Sequence, residues 1–259
     1  MARRFGVEGG IIGVTAAAVV SVVVAGALAF SNIGGPSKAE AEGVASGQQK
    51  AKRAAAPVSP DLVHASDRPG RSLNITIDDG PDPVWTPKVL AVLKRYNVKA
   101  VFCMIGPQAE AHPDLVKKVL AAGHRLCDHT IDHNTAMDKK PQSYQSQQIL
   151  DAQKMIEKAA GGAKVEYYRA PGGAFTPYSR KLAAGQGMRP LGWNIDSKDF
   201  EGGTVERIES TVRGEIPHRS GPTVLFHDGG GDRSRTVDAL NRLLPWMQSQ
   251  GFGFGFPQR

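Results

Sequence analysis

Asn74-Ile75-Thr76-Ile77-Asp78-Asp79-Gly80-Pro81-Asp82-Pro83 sets a short β-prone run directly before two adjacent carboxylates and two proline turns. The run Leu73–Ile77 reads as a strand, and the Gly-Pro and Asp-Pro pairs stop it, so both acids stand where strand gives way to loop. Neighbouring residues at a strand end point in different directions, which lets one carboxylate bind a metal while the other stays free as a base. By itself the decapeptide is equally a turn whose Asp side chains cap and solvate it.

Working outward, short apolar runs alternate with helical stretches. The strand candidates are Leu73–Ile77, Ala100–Ile105, His124–Cys127, Val165–Tyr168, Arg189–Ile195, Thr223–Phe226 and Phe252–Phe256. Between them lie the helix candidates Thr86–Tyr96, Asp114–Ala122, a longer one carrying Ile149, Ala152, Ile156 and Ala159, Tyr178–Gln186, Val205–Glu215 and Ser234–Gln250. Pro113 and Gly123 bracket the second of these, and Pro245 predicts a kink in the last. Strand then helix, repeated at this length, implies parallel strands with helical crossovers, either a barrel or an open doubly wound sheet.

Asp78-Asp79, His129, Arg169, Asp196 to Asp199 and His227 each fall just after a strand candidate. In parallel α/β folds the carboxyl ends of all strands share one face, so these clusters converge. His129 and His133 are four residues apart, which on a helical turn is one face and suits two ligands on one ion. Alone they read as an exposed pair; with a carboxylate from another strand end they complete a divalent site with open positions. Arg169 puts a permanent cation before Pro171-Gly172-Gly173, a loop whose N–H groups can approach a substrate closely; the plainer reading is a surface Arg before a tight turn. His227 ends an apolar strand before Gly229–Gly231, and the plainer reading there is a histidine bonded to backbone.

In order, Thr-Ile-Asp-Asp-Gly-Pro at 76–81, His-Thr-Ile-Asp-His at 129–133, Arg-Ala-Pro-Gly at 169–172, Asp-Ser-Lys-Asp-Phe at 196–200 and Leu-Phe-His at 225–227 resemble the five motifs of the NodB-like polysaccharide deacetylases, carbohydrate esterase family 4. The resemblance spans about Ser72 to Phe256. It implies a distorted (β/α) barrel of seven or eight parallel strands as a single catalytic domain, residues 61–259. It also implies one divalent metal, usually zinc, with cobalt or nickel as the other candidates, and removal of acetyl groups from acetylated sugars. Carried over by residue, Asp79, His129 and His133 are the metal ligands, Asp78 the catalytic base and His227 the catalytic acid. Arg169 is oriented toward Asp78 and Asp199 toward His227. A backbone N–H near Gly172 faces the oxyanion, and Leu225 forms part of the wall around the acetyl methyl. Ile77 stands where the family commonly has Phe, Gly172 where many members have an aromatic, and Phe200 where many have Trp. The last two reshape the substrate groove.

The expected function is N-deacetylation of cell-wall or chitin-type N-acetylglucosamine polymers outside the cell. O-deacetylation of acetylated xylan uses the same groups, and a noncatalytic wall-binding protein would keep the fold. A non-haem iron oxygenase also uses two His and one carboxylate, but has no use for a second Asp or for an acid His on a separate strand.

The chain has 259 residues, 41% of them hydrophobic, enough for one sizeable core. Its 32 Lys and Arg against 25 Asp and Glu give a net charge of +7, spread without a basic stripe or interleaved aromatics, so no nucleic-acid partner is expected. A monomer is expected. Arg3 and Arg4 precede an uncharged run from Ile11 to Phe30, enough to cross a bilayer. Residues 1–30 thus read as a signal peptide, with Ala27-Leu28-Ala29 as a cleavage site, or as an uncleaved membrane anchor. Either sends the rest out of the cytoplasm. Residues 31–60 have the composition of a flexible tether. Cys103 and Cys127 lie in strands that are often neighbours in βαβ units, so they form either a disulfide, contributing about 3 kcal/mol, or two buried thiols.

Overall fold

The computed structural model describes residues 58–259. The uncharged run 11–30 and the tether through residue 57 lie outside the described residues. Val58, within the tether stretch, donates its N–H to Ala184 O at 3.3 Å. No helix among the described residues is long and apolar enough to cross a membrane.

The strand anticipated at 73–77 is β1, Ser72–Asp78, and all seven of its residues are buried. It lies inside the sheet between β2, Ala100–Met104, and β7, Thr223–His227, parallel to both, and like other strands of parallel sheets it is covered on its faces rather than open to solvent. The period-2 alternation assigns its two faces. Leu73, Ile75 and Ile77 join the main core cluster with residues of the surrounding helices. Asn74, Thr76 and Asp78 point the other way, where Asn74 Nδ2 donates to Thr223 Oγ1 at 2.9 Å and Thr76 Oγ1 to Val224 O at 2.9 Å.

The remaining strands are β3, Arg125–Asp128, β4, Tyr167–Tyr168, β5, Arg189–Pro190, β6, Ile195–Asp196, and β8, Gly253–Phe254. The order is β5-β4-β3-β2-β1-β7-β6, with β8 paired to the start of β1, and every pairing is parallel. The run Arg189–Ile195, expected as one strand, is therefore two strands at opposite ends of the sheet. Laid flat, seven strands at ~4.8 Å spacing would hold those ends about 29 Å apart. The chain from Pro190 to Ile195 reaches at most about 18 Å, so the sheet has to curl into a distorted barrel. Leu191 and Gly192 cross the opening. Leu191 bridges to Val63 of the N-terminal segment, and Gly192 N–H donates to Val63 O at 3.0 Å.

The helices are α1, Trp85–Arg95, α2, Gly106–Ala111, α3, Pro113–Ala121, α4, Gln142–Ala159, α5, Pro177–Gly185, α6, Val205–Glu215, and α7, Ser234–Ser249. α2 is an addition to the sequence reading: at six residues it is too short to show an apolar period, and Gly106 lets it approach α4, since a Cβ there would lie 2.9 Å from Ala152 Cα. α5 begins in a capping box between Thr176 and Ser179. α7 continues as one helix through Pro245. Cys103 and Cys127 are register partners on β2 and β3 and form a disulfide, in a small apolar cluster with Val63, Val101, Tyr167 and Leu191.

Candidate active site

β1 ends at Asp78, and the backbone turns at once: Asp79 has φ +75° and donates its N–H to Cys103 O at 3.1 Å. That reversal separates the two carboxylates. Two close approaches hold it, because a Cβ on Gly80 would collide with the Asp228 carboxylate and one on Gly229 with the Asp79 carbonyl. Either position therefore requires glycine.

Asp79 faces the two histidines. Its Oδ1 lies 3.2 Å from His133 Nε2 and 3.5 Å from His129 Nε2. Ligand atoms from all three residues fall within 4.8 Å of one another. His129 Nδ1 lies 2.8 Å from Arg169 O, so it donates to that carbonyl and its Nε2 lone pair is left toward Asp79. Asp79 Oδ1 is buried yet receives no aligned hydrogen bond. Three such donor atoms within 4.8 Å of one another, with a buried oxygen otherwise orphaned, suit a divalent cation, and two imidazoles with one carboxylate suit zinc. The residues fit the metal.

The two histidines do not share a helical turn, as their spacing suggested. Residues 129–136 are loop, with Thr130 at φ +69° and His133 at φ +53°. Tertiary contacts bend the segment: Asp128 Oδ1 accepts the Thr130 N–H at 2.7 Å, and Gln148 Oε1 on α4 accepts the Ile131 and Asp132 N–H groups at 3.0 and 3.1 Å. Burial alone would raise the Asp79 carboxyl, but the adjoining His133 and His129 imidazoles hold it well below the usual carboxylate range. Burial lowers His129, partly offset by Asp78 and Asp79, whereas Asp79 raises His133.

Asp78 faces Arg169, not the surface. Arg169 is fully buried at the end of β4, and its Nη1 donates to Asp78 Oδ1 at 2.7 Å and to Thr76 Oγ1 at 2.8 Å. Its Nε and Nη2 donate to Leu191 O and Gly192 O at 3.2 and 3.1 Å, across the opening between β5 and β6. One guanidinium thus fixes Asp78 and ties the barrel edge to it.

His227 ends β7. Its Nδ1 lies 2.7 Å from Asp199 Oδ1, and Asp199 Oδ2 accepts the His227 N–H at 2.9 Å and the Thr236 hydroxyl at 2.8 Å. Nε2 is the nitrogen left to serve the pocket. Burial lowers the imidazole pKa, but the Asp199 hydrogen bond and charge outweigh it and raise the value to about 8. The basic limb of kcat/KM is expected near pH 8, and Asp199→Asn should move it to lower pH, as a pH–rate profile would record. Because the folded value exceeds the unfolded one, the pair's stabilisation is complete below about pH 6.5 and is lost as pH rises through about 8.

These groups open onto one pocket of about 360 Å³, lined by Asp78, Asp79, His129, His133, Gly172, Leu225, Phe200 and His227, with Arg169 and Asp199 directly behind. Phe200 is 47% exposed and meets the His227 ring edge-on at 5.2 Å. Gly172 has φ +58°, and Thr135 takes the space over it, since a Cβ there would lie 3.1 Å from Thr135 Cβ. Thr135, Trp193 and Asp196 also line the pocket. Trp193 was hidden inside the run read as one strand, and nothing in the sequence marked Thr135. Asp228 is a further buried acid, raised to about 7 chiefly by burial, with Thr86 Oγ1 donating to it at 2.6 Å.

The family profile described as polysaccharide deacetylase matches residues 65–191. A peptidoglycan-N-acetylglucosamine deacetylase of Bacillus cereus is 39% identical over 70% of this chain and 83% of its own length. A chitooligosaccharide deacetylase of Azorhizobium caulinodans is 32% identical over 70% of this chain and 90% of its own. Among solved structures, a peptidoglycan N-acetylglucosamine deacetylase in complex with 4-naphthalen-1-yl-N-oxidanyl-benzamide superposes with a TM-score of 0.68 at 30% identity, covering 75% of this chain and 89% of that one.

Proposed function

The chain belongs to the polysaccharide deacetylase family, and from that membership and its site we propose that it hydrolyses the N-acetyl groups of an N-acetylglucosamine polymer of the peptidoglycan or chitin type. The supporting observation is a three-donor cluster flanked by one acid held by a buried cation and one histidine held by a carboxylate. Asp79, His129 and His133 would hold a zinc ion. When bound there, such an ion supplies Lewis-acid polarisation of the acetyl carbonyl and acidifies the attacking water.

The chain's own groups do the rest. Asp78, oriented by Arg169, takes the proton of the attacking water. A backbone N–H at Gly172 faces the developing oxyanion, and the absence of a Cβ lets the backbone approach closely. His227, protonated and steadied through Nδ1 by Asp199, gives its proton to the departing amine. Leu225 and Phe200 shape the wall beside the acetyl methyl and the sugar. On this reading residues 61–259 are the catalytic domain, 31–60 a linker and 1–30 a signal peptide or membrane anchor, which fits a reaction outside the cytoplasmic membrane.

Acetate release from chitin oligomers, peptidoglycan and acetylated xylan tests this. Release from the N-acetylated polymers is expected. Release from xylan alone would make the protein an O-deacetylase, and release from none of them a wall-binding protein.

A further inference from the structure

A second hollow, of about 520 Å³, lies at the end of the barrel opposite the catalytic pocket. It forms where β8 pairs with the start of β1 and where α1 gives way to β2, at the amino ends of strands whose carboxyl ends carry Asp78 and His227. We propose that it binds an acidic sugar, a pyranose ring that carries a carboxylate, within an anionic glycan. Nothing in this depends on the reaction assigned to the other end.

The hollow is built by a stretch that the catalytic site does not use. Phe252-Gly253-Phe254-Gly255-Phe256 alternates aromatic and glycine. The glycines admit the N-terminal segment, because a Cβ on Gly255 would collide with Ser66 Oγ and one on Gly253 would lie 3.2 Å from the Arg68 guanidinium carbon. Phe252, Phe254 and Phe256, with Tyr96 from the end of α1, then give an aromatic lining to a hollow larger than the catalytic one. Aromatic rings suit the apolar face of a pyranose, and the amides of Asn97 and Gln248 can both donate to and accept from its hydroxyl groups.

The charge at its mouth is of one sign. The lining includes Arg68 and Lys99 and no acidic residue. Both are exposed, and among the described residues neither has a carboxylate within 4.0 Å. Arg71, over the Phe252 ring at 4.3 Å, has none either, and Lys94 and Arg95 occupy the last turn of α1 just before Tyr96. Asp67, beside Arg68 in the chain, is already engaged: its Oδ1 accepts the Phe256 N–H at 2.9 Å, and its Oδ2 lies 3.8 Å from Arg125 Nη2. Arg68 Nη1 donates to Phe254 O at 3.4 Å and Lys99 Nζ to Ala122 O at 2.6 Å. Those contacts seat each cation and leave its other N–H groups for a ligand. Cations around an aromatic hollow match a ring that bears a carboxylate better than they match a neutral ring or a carboxylate alone. The cations come from separate stretches of chain, which is why no basic stripe shows in the sequence.

Calorimetric titration of the full chain with tetragalacturonate, which has a carboxylate on each ring, tests the site. Binding is expected, and it should weaken as salt is raised. Maltotetraose, with rings and no charge, and tetraglutamate, with charge and no pyranose, should each bind about tenfold more weakly. An Arg68→Ala, Lys99→Ala double variant should lose about tenfold in affinity for tetragalacturonate. Its thermal unfolding should match the parent's, since both side chains are exposed and neither lines the catalytic pocket. The three affinities of the parent protein decide even without a variant. Tetraglutamate binding as tightly as tetragalacturonate would reduce the hollow to a patch of positive charge, and equal affinity for maltotetraose would make it a neutral-sugar site. Affinity unchanged in the double variant would put the ligand elsewhere. Any of these results, or no binding at all, overturns the acidic-sugar site.

Discussion

An Asp78→Asn protein is expected to deacetylate N-acetylglucosamine oligomers about 10³-fold more slowly than the parent, within the range that a general base contributes. The substitution is close to isosteric, and its amide oxygen can still accept the 2.7 Å hydrogen bond from Arg169 Nη1, so the barrel edge stays tied. What is lost is the basicity. Because Asp79, His129 and His133 form the three-donor cluster, zinc affinity should change far less than turnover. Turnover measured beside calorimetric zinc binding separates the two effects. Full activity in Asp78→Asn would refute the assignment of Asp78 as the base.

Arg169→Met should produce the largest loss of stability. It leaves the Asp78 carboxylate buried at 2% exposure without its cation and removes the donors to Leu191 O and Gly192 O. Breaking a buried ion pair by deleting one partner costs about 3–5 kcal/mol. In a domain of this size that corresponds to a fall in Tm of roughly 6–20 °C. The Asp78→Asn and Arg169→Met pair should be clearly non-additive, since the first change removes the charge that the second strands. A fall of only a degree or two would mean that the guanidinium is not holding the strand ends together.

Much of this was legible in sequence because the signals belong to the strand itself. Leu73–Ile77 and Thr223–Phe226 carry their apolar pattern locally, and parallel topology then brings Asp78, Arg169 and His227 to one face wherever they lie in the chain. The disulfide was legible for the same reason, as Cys103 and Cys127 occupy adjacent strands. What escaped depended on tertiary partners. The Arg189–Ile195 run, read as one strand, hid a crossing from one sheet edge to the other, although Pro190 and Gly192 are poor residues for a strand interior. The spacing of His129 and His133 imitated a helix, whereas Asp128 and Gln148 hold those residues in a loop. Trp193 was masked by the same misread run. At Gly172, where the resemblance led us to expect an aromatic in many members, Thr135 lies over the glycine, and Trp193 lies over Gly173.

The most direct test of the account is to strip the protein of metal with a chelator, remove the chelator, and titrate zinc back while following acetate release from chitin oligomers. Activity should be absent at the start, rise linearly and break at one zinc per chain. The same titration of an Asp79→Ala protein should give no rise at that stoichiometry. Acetate release that persists undiminished in the stripped protein, or a full return of activity in Asp79→Ala at one equivalent, would contradict the metal centre proposed for Asp79, His129 and His133.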